Sequence, residues 1–261
     1  MKNIVELSNE THKNLKVREG ATLEAIKDQH IINIQLQEAC IAATNFPVFL
    51  MPVPDTDRWS LSAIMSYETG KNLFVKGDKW LSTYQPNALI TYPLFVMPIA
   101  GQKGGFTVGI EEQGSAFSEN EGTPLFESDG KASIYLSRVI KILEASGQNE
   151  MHSIEFAKTL NELSLIVPAN IQLKYENEQA RNLTGLYTID EKALNDLDTK
   201  QFEMLREKNY IASIYGILIS KFQLKNLLDK NNDVDGNKKL LEVNMTTEQG
   251  DPTTTEKEQQ N

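Results

Sequence analysis

The sequence contains little of what metal sites and nucleophilic active sites most often use. Its 261 residues include one cysteine, Cys40, and three histidines, His12, His30 and His152. A single cysteine excludes an intrachain disulfide framework and cysteine-cluster zinc sites. Because Cys40 lies in the apolar stretch QEACIAATNF, we expect it to be a buried, unreactive thiol. The histidines lie far apart in the sequence and give no metal-ligand spacing.

Basic residues are also scarce. The chain has 26 Lys and Arg against 36 Asp and Glu, which gives a formal net charge of −10 at pH 7. A nucleic-acid-binding surface needs clustered Lys and Arg that displace counterions from phosphates, and the sequence has no such cluster. We therefore expect no nucleic-acid partner and interpret the acidic excess as a solubility feature.

Long hydrophobic runs are absent as well. The longest apolar segments are interrupted by Pro47, Pro52, Pro93 and Pro98, so none reaches the roughly 20 residues of a membrane-spanning helix. The N-terminal MKNIVELSNETHKNLKVREG lacks the apolar core of a signal peptide. These features predict no membrane insertion and a cytoplasmic location, and they leave open export through a pathway that reads a C-terminal signal.

The common catalytic motifs are missing too. There is no Gly-x-Ser-x-Gly elbow and no HExxH, and GQKGGF at 101–106 lacks the Gly-Lys-Ser/Thr ending of a phosphate loop. The sequence therefore identifies no catalytic residue, and we expect no cofactor.

Apolar and aromatic runs of strand length are abundant between Phe46 and Ala100. Gly, Pro and Asp bound these runs, which is typical of successive β-strands. The connections are too short for crossover helices, so the pairing is predicted to be mostly antiparallel. The predicted strands are 46–53, 59–68, 71–76, 88–99 and 105–111.

Helical periodicity begins at Ala132, where ASIYLSRVIKILEAS places apolar residues on one face. Gly147 is predicted to end this helix as a C-cap, and a second helix is predicted at about 151–164. SLIVPANIQLKYEN and NLTGLYTID predict two late strands, followed by a helical pair over about 199–228. The predicted fold is α+β: a mainly antiparallel, aromatic-rich sheet covered by C-terminal helices.

The composition changes after residue 228, where apolar residues become rare. We predict a single domain over 1–228 and a polar, disordered tail over 229–261. Residues 231–242 in this tail match the spacing of an EF-hand loop, with Asn231 at its first position and Lys238 at its eighth. The first position is not Asp, a buried aliphatic residue normally occupies the eighth, and no exit helix is evident after the loop. We therefore interpret the segment as a solvated terminus and predict no metal site. The acidic segment 111–129 is interpreted in the same way, as a solvated charge run.

Four residues around turns of the aromatic segment are candidates for contact with a ligand or partner: Glu68, Asn72, Trp80 and Tyr84. Trp and Tyr beside polar groups are common in ligand sites and protein interfaces. The alternative is that they belong to a sheet core with polar hairpin tips.

Several of these segments, in this order, resemble the SapC family of bacterial proteins, and the resemblance covers roughly residues 4 to 228. They include His12 with KNLKV, FPVFL at 46–50, GKNLF at 70–74, the spacing from Trp80 to Tyr84-Gln85-Pro86, YPLFV at 92–96 and TPLFESDG at 123–130. The resemblance implies an association with bacterial surface-layer gene clusters, and it implies no particular chemistry.

Three hypotheses follow. The leading one is a non-enzymatic binding or accessory protein whose partner is an unidentified protein or small-molecule ligand. The second is an enzyme of unrecognised type that uses carboxylates and a divalent metal. The third is a secreted surface-array subunit, and the oligomeric state is left open by all three.

Overall fold

The structure, a computed structural model, describes residues 4–99, 105–112, 114–176 and 179–247 of the chain. It has about 35% helix and 26% strand, with several antiparallel sheets, so the predicted α+β class is confirmed. The chain divides into two compact units: the first comprises Met1–Glu38 and Ile64–Ser153, and the second comprises Ala39–Ala63 and Ile154–Asn261. Helix α4 (Ile134–Glu162) contributes residues to both units.

The first unit is built mainly from short strands, with two short helices and most of α4. Its elements are β1 (Ile4–Glu6), β2 (Lys16–Val17), α1 (Ala21–Ile26), β3 (Ile31–Ile34), a 3-10 turn (Leu36–Glu38), β6 (Val75–Lys76), β7 (Lys79–Trp80), α3 (Asn87–Thr91), β8 (Leu94–Pro98), β9 (Phe106–Glu111), β10 (Phe117–Ser118), β11 (Thr123–Pro124) and α4 (Ile134–Glu162) as far as Ser153.

Two small antiparallel sheets and the start of α4 enclose a core in the first unit. The sheets have the strand orders β1-β9-β8 and β10-β2-β11. Apolar residues of α4 at helical spacing pack against them, as the periodicity predicts for Val139, Ile140 and Leu143, whereas Ile134 at the start of the helix is 89% exposed. The core consists of Val17, Leu94, Ile110, Leu125, Leu136, Val139 and Leu143.

The second unit combines two further antiparallel sheets with most of the helices. Its elements are α2 (Ala39–Ala43), β4 (Val48–Pro52), β5 (Trp59–Ile64), the end of α4, β12 (Ile166–Pro168), β13 (Asn170–Tyr175), β14 (Arg181–Leu183), β15 (Tyr187–Ile189), α5 (Glu191–Asn195), α6 (Thr199–Glu207), α7 (Ile211–Ser220), α8 (Gln223–Asn232) and β16 (Leu240–Thr246).

In the second unit, α7 covers the sheet that contains β4 and β15, as the dense apolar sequence IASIYGILIS predicts. Strands β12, β15, β4 and β5 are neighbours in that order, and β13 lies between β14 and β16 in a separate sheet. Helix α7 packs on α2, β4 and β15. The buried Ser220 hydroxyl, at the end of α7, accepts a hydrogen bond of 2.9 Å from the Val48 amide. This bond joins α7 to the first residue of β4.

Gly147 does not end a helix. It lies inside α4, which runs without interruption from Ile134 to Glu162, so the two predicted helices are one. A glycine favours a helix end because it adopts positive φ easily, but neighbouring residues with high helix propensity can carry a helix through it at a cost of about 1 kcal/mol.

Cys40 is exposed, and the prediction of a buried thiol is wrong. The reason lies in the orientation of α2, which buries Ala39, Ala42 and Ala43 and turns Cys40 and Ile41 outward. Three alanines are enough to form the buried face of a helix of this length.

The structure also differs from the predicted disordered tail over residues 229–247. Helix α8 continues to Asn232, and β16 pairs with β13 over its whole length, from Asn170 opposite Thr246 to Tyr175 opposite Leu240. The rest of the predicted tail, from residue 248 onward, lies outside the described residues. In the described part of the chain, no helix combines the length and apolar character that crossing a membrane requires.

Candidate binding pocket

In the first unit, Trp80 ends a tight hairpin and Tyr84 follows four residues later. Strands β6 and β7 form a hairpin in which Trp80 stands opposite Val75, and Gly77 supplies the positive φ of 60° that the turn requires. The half-buried Trp80 ring packs against Phe74, with 5.9 Å between ring centroids. Its indole nitrogen donates a hydrogen bond of 2.8 Å to the Tyr84 carbonyl oxygen. The indole therefore holds the backbone of Tyr84 in place.

The side chain of Tyr84 reaches a buried carboxylate. Its hydroxyl donates to Glu38 Oε1 at 2.5 Å, and the same oxygen accepts the Asn87 amide at 2.8 Å. Glu38 Oε2 accepts the Gln35 amide at 3.0 Å, and only 4% of the Glu38 residue is exposed. The carboxylate thereby accepts hydrogen bonds from backbone N–H groups at the start of the 3-10 turn and at the start of α3. The N-cap of α3, Pro86, offers no side-chain acceptor of its own.

Burial raises the pKa of the Tyr84 hydroxyl far above its ordinary value of 10.0, and its hydrogen bond to Glu38 and the negative charge of that carboxylate raise it further. The phenol therefore stays protonated and remains a donor throughout the physiological pH range.

Glu38 lies in the wall of a small cavity of about 200 Å³. The wall is formed by the end of β3, the 3-10 turn, α3 and the middle of α4. Gln35 connects two of these elements, because its amide nitrogen donates to the carbonyl and to the hydroxyl of Ser146, both at 2.9 Å. The lining residues are Asn33, Ile34, Gln35, Glu38, Asn87, Ala88, Thr91, Ile142, Ser146 and Glu150.

The lining is rich in hydrogen-bonding groups and carries a net negative charge. Two of its residues are acidic, the buried Glu38 and the exposed Glu150, and none is Lys or Arg. Amide, hydroxyl and carboxylate oxygens together supply acceptors to a group that enters the cavity. Such a lining favours a small cation or a hydrogen-bond donor over an anion.

The family model for SapC matches residues 7–227. The chain belongs to the SapC family. The matched range contains every residue that lines the Glu38 cavity and stops before β16. The searches of curated proteins and of solved structures found no match to this SapC-family chain.

The four residues proposed from the sequence of this SapC-family member fall into two groups. Trp80 and Tyr84 support the cavity through Glu38 without lining it. The buried Asn72 donates to the Ile26 carbonyl at 3.1 Å and accepts the Phe74 amide at 3.0 Å, so its amide has a structural role. The half-buried Glu68 forms an ion pair of 2.6 Å with Lys71, three residues later in the segment before β6.

Sequence reasoning missed the residues that line the cavity. Glu38 and Glu150 are single acidic residues outside any recognisable motif, and 112 positions of sequence separate them. A glutamate directly before the apolar helix ACIAA was the one available signal, since a charged side chain beside a buried helix needs partners.

The EF-hand-like residues 231–242 use their amides to close a loop. Asn231 donates to the Lys238 carbonyl at 2.9 Å, and Asn237 donates to Asn231 Oδ1 at 3.1 Å. Asn232 makes a pair of 2.8 Å bonds with the backbone of Leu240, donating to its carbonyl and accepting from its amide. We refer to Asn231, Asn232 and Asn237 as the asparagine clamp. Over the described ranges, no group of three or more His, Cys, Asp or Glu has a metal-binding arrangement.

The acidic segment 111–129 includes side chains with specific partners. The buried His12 accepts the Ser8 amide on Nδ1 at 2.9 Å, which leaves the proton of the neutral ring on Nε2. That nitrogen lies 3.3 Å from Glu112 Oε1. His12, held by these two contacts, acts as a structural element of its loop.

At the other end of the acidic segment, Asp129 pairs with Lys131 at 2.7 Å on the surface, and this hydrogen bond lowers the pKa of the Asp129 carboxyl.

Proposed function

We propose that this SapC-family chain is a non-catalytic binding or accessory protein, and that the Glu38 cavity binds a small, positively charged amine group. The amine belongs to a small molecule or to a partner protein. The observation that carries the proposal is the lining of the cavity, which combines a buried carboxylate, a second carboxylate and several neutral acceptors with no basic residue.

The size of the cavity limits what can enter. Drug-sized ligands occupy pockets of about 300–1,000 Å³, whereas this cavity has about 200 Å³. A group of a few heavy atoms fits, such as an alkylammonium group with its first methylenes. Ile34, Ala88 and Ile142 offer apolar contacts for those methylenes.

The electrostatics favour a cation. The Glu38 carboxylate accepts hydrogen bonds from three donors in a largely water-excluded position, so its field reaches into the cavity with less screening than in bulk solvent. Glu150 lies on the exposed side of the cavity and is available to meet an incoming ammonium group. Glu38 attracts the cation at longer range, and Glu150 with the neutral acceptors makes contact.

The cellular role in this proposal follows the family. We place the protein in a bacterial cell, in the cytoplasm or at the envelope, in association with the surface layer to which the family name refers. Cell fractionation tests this part separately from amine binding. Recovery of the protein wholly in the culture medium, and in neither the cytoplasmic nor the envelope fraction, would contradict it.

The direct test of binding is an NMR titration of the full chain with ethylammonium chloride, using sodium chloride at equal ionic strength as the reference. We expect shifts of the Gln35, Asn87 and Ser146 amides that saturate and that weaken severalfold in Glu150→Gln. Glu144→Gln, an exposed change on the same helix outside the lining, is the matched control and should leave the titration unchanged.

Absence of saturable shifts in the wild-type protein would refute amine binding. Native mass spectrometry of protein purified gently from its own cells tests the non-catalytic assignment. A stoichiometric divalent metal, together with turnover that a point change in the cavity abolishes, would replace the proposal with the enzyme hypothesis.

A further inference from the structure

The last strand of the chain leaves one edge of a sheet open. Strand β16 is seven residues long and pairs with β13, and along the described chain no strand pairs with its opposite edge. An open edge presents unpaired backbone N–H and C=O groups that can accept a further strand. This strand lies beyond the range that the SapC family model matches.

A groove runs between this edge and the start of α8. The asparagine clamp ties the end of α8 to the first residue of β16, so the two elements are closed at that end. At the other end they enclose a depression of about 540 Å³, which is within the range of ligand-binding pockets. Its lining residues are Glu191, Lys221, Phe222, Leu224, Lys225, Asn226, Val243, Met245 and Thr247.

The side chains along the groove alternate as a strand-binding site requires. Val243, Met245 and Thr247 of β16 and its continuation face the groove at every second position. On the helical side, Phe222 is 69% exposed and presents its ring next to them. An extended segment that added to β16 would bury this aromatic surface together with Met245.

The charges of the groove point to an acidic occupant. Lys221 pairs with Glu191 at 2.5 Å, so these two charges compensate each other. Lys225 is exposed and has no ion-pair partner among the described residues, which leaves the lining with one uncompensated positive charge. Helix α8 begins at Gln223, and its N-cap, Phe222, makes no side-chain capping hydrogen bond, so the partial positive charge of the helix N-terminus lies at the same end of the groove.

From these observations we infer that the groove binds an extended segment of a partner protein. The segment adds to the open edge of β16 as a further strand, and it carries an Asp or Glu side chain that pairs with Lys225. Backbone hydrogen bonds to β16 provide affinity, while the Phe222–Met245 surface and Lys225 select alternating apolar and acidic residues. This site is distinct from the Glu38 cavity, and its test is independent of amine binding.

The experiment is selection from a phage-displayed library of random heptapeptides that are fused at their C-terminus, so that carboxylates come from side chains alone. The full chain is the bait. We expect enrichment of sequences that alternate apolar residues and contain Asp or Glu. Synthetic, C-terminally amidated copies should then bind Lys225→Glu about fivefold more weakly or worse than wild type. Lys200→Glu, an exposed reversal on α6 outside the groove, should bind as wild type does.

Three outcomes would overturn the inference. These are no enriched motif, equal binding by Lys225→Glu and wild type, or protection of the β16 edge by a concentration-dependent dimer in the absence of peptide. The third outcome would assign the edge to a second copy of this chain. Hydrogen exchange of the β16 amides, measured with and without the peptide, distinguishes such a dimer from strand addition by a partner.

Discussion

Removing the hydroxyl of Tyr84 tests the bond that supports the Glu38 cavity. In Tyr84→Phe the buried carboxylate keeps its two backbone donors and loses the third. A hydrogen bond to a charged group contributes about 1.5–3 kcal/mol to stability. Because Tyr84 is only half-buried, water can replace part of this bond. We therefore expect the free energy of unfolding to fall by about 1–2 kcal/mol, a melting temperature lower by roughly 2–4 °C for a chain of this size.

The pH dependence makes the prediction specific. The pKa of Tyr84 is raised in the folded chain above its ordinary 10.0, so above pH 10 the folded state binds more protons than the unfolded state. The stabilising contribution is therefore complete below pH 10 and is lost as pH rises through and beyond that value. Wild type should lose roughly 1 kcal/mol per pH unit more than Tyr84→Phe in this range, and the two should converge.

Urea unfolding of both proteins at pH 7, 10 and 11 is the assay. Tyr215→Phe is the matched control, because its side chain is 42% exposed, and it should change stability by less than about 0.5 kcal/mol. A double-mutant cycle with Glu38→Gln should give a coupling energy above about 0.5 kcal/mol between positions 38 and 84. Additive effects, or an unchanged difference between wild type and Tyr84→Phe from pH 7 to pH 11, would show that the bond does not hold the carboxylate.

Three further substitutions test other parts of the structure. Gly147→Ala should stabilise the chain by about 1 kcal/mol in urea unfolding, because a methyl group there meets open space inside α4; destabilisation would place a helix end at Gly147 after all. Ser220→Ala should cost about 1–3 kcal/mol, since it leaves the buried Val48 amide without its acceptor, and a loss below 0.5 kcal/mol would contradict this. Asn232→Ala should speed hydrogen exchange at the start of β16 by about tenfold, because it removes the acceptor of the Leu240 amide. In calorimetric titrations, millimolar calcium should produce no heat of binding with wild type or with this variant. A saturable heat with wild type would restore the EF-hand hypothesis.

Residue types and periodicity predicted the α+β class, the antiparallel pairing and the buried face of α4, because these features depend on local pattern. Apolar runs of strand length bounded by turn residues predict strands at 46–53 and 59–68, and the structure has strands there that pair from Val48 opposite Ala63 to Pro52 opposite Trp59. The segment 88–99 was predicted as one strand and contains α3 followed by β8. Its apolar residues suit either structure, and the cap that starts α3 comes from Glu38, 49 positions away.

Distant partners also explain why the candidate sites were only partly visible in the sequence. The sequence identifies Trp80 and Tyr84 as candidates because aromatic residues beside predicted turns form an uncommon pattern. In the sequence, nothing distinguishes Glu38 from the other acidic residues. Its role depends on the fold, which brings three hydrogen-bond donors to its carboxylate.

The same argument applies to the groove beside β16. Strand β16 lies in a stretch, 229–261, whose overall composition is that of a polar tail, and the asparagines before the strand, whose spacing resembles a calcium loop, form a clamp through their amides. Amide side chains can replace backbone partners in closing a loop, so a stretch rich in Asn predicts local order as readily as it predicts a metal ligand. In this chain the order extends through a whole additional strand, and that strand carries the open edge on which the inferred partner site depends.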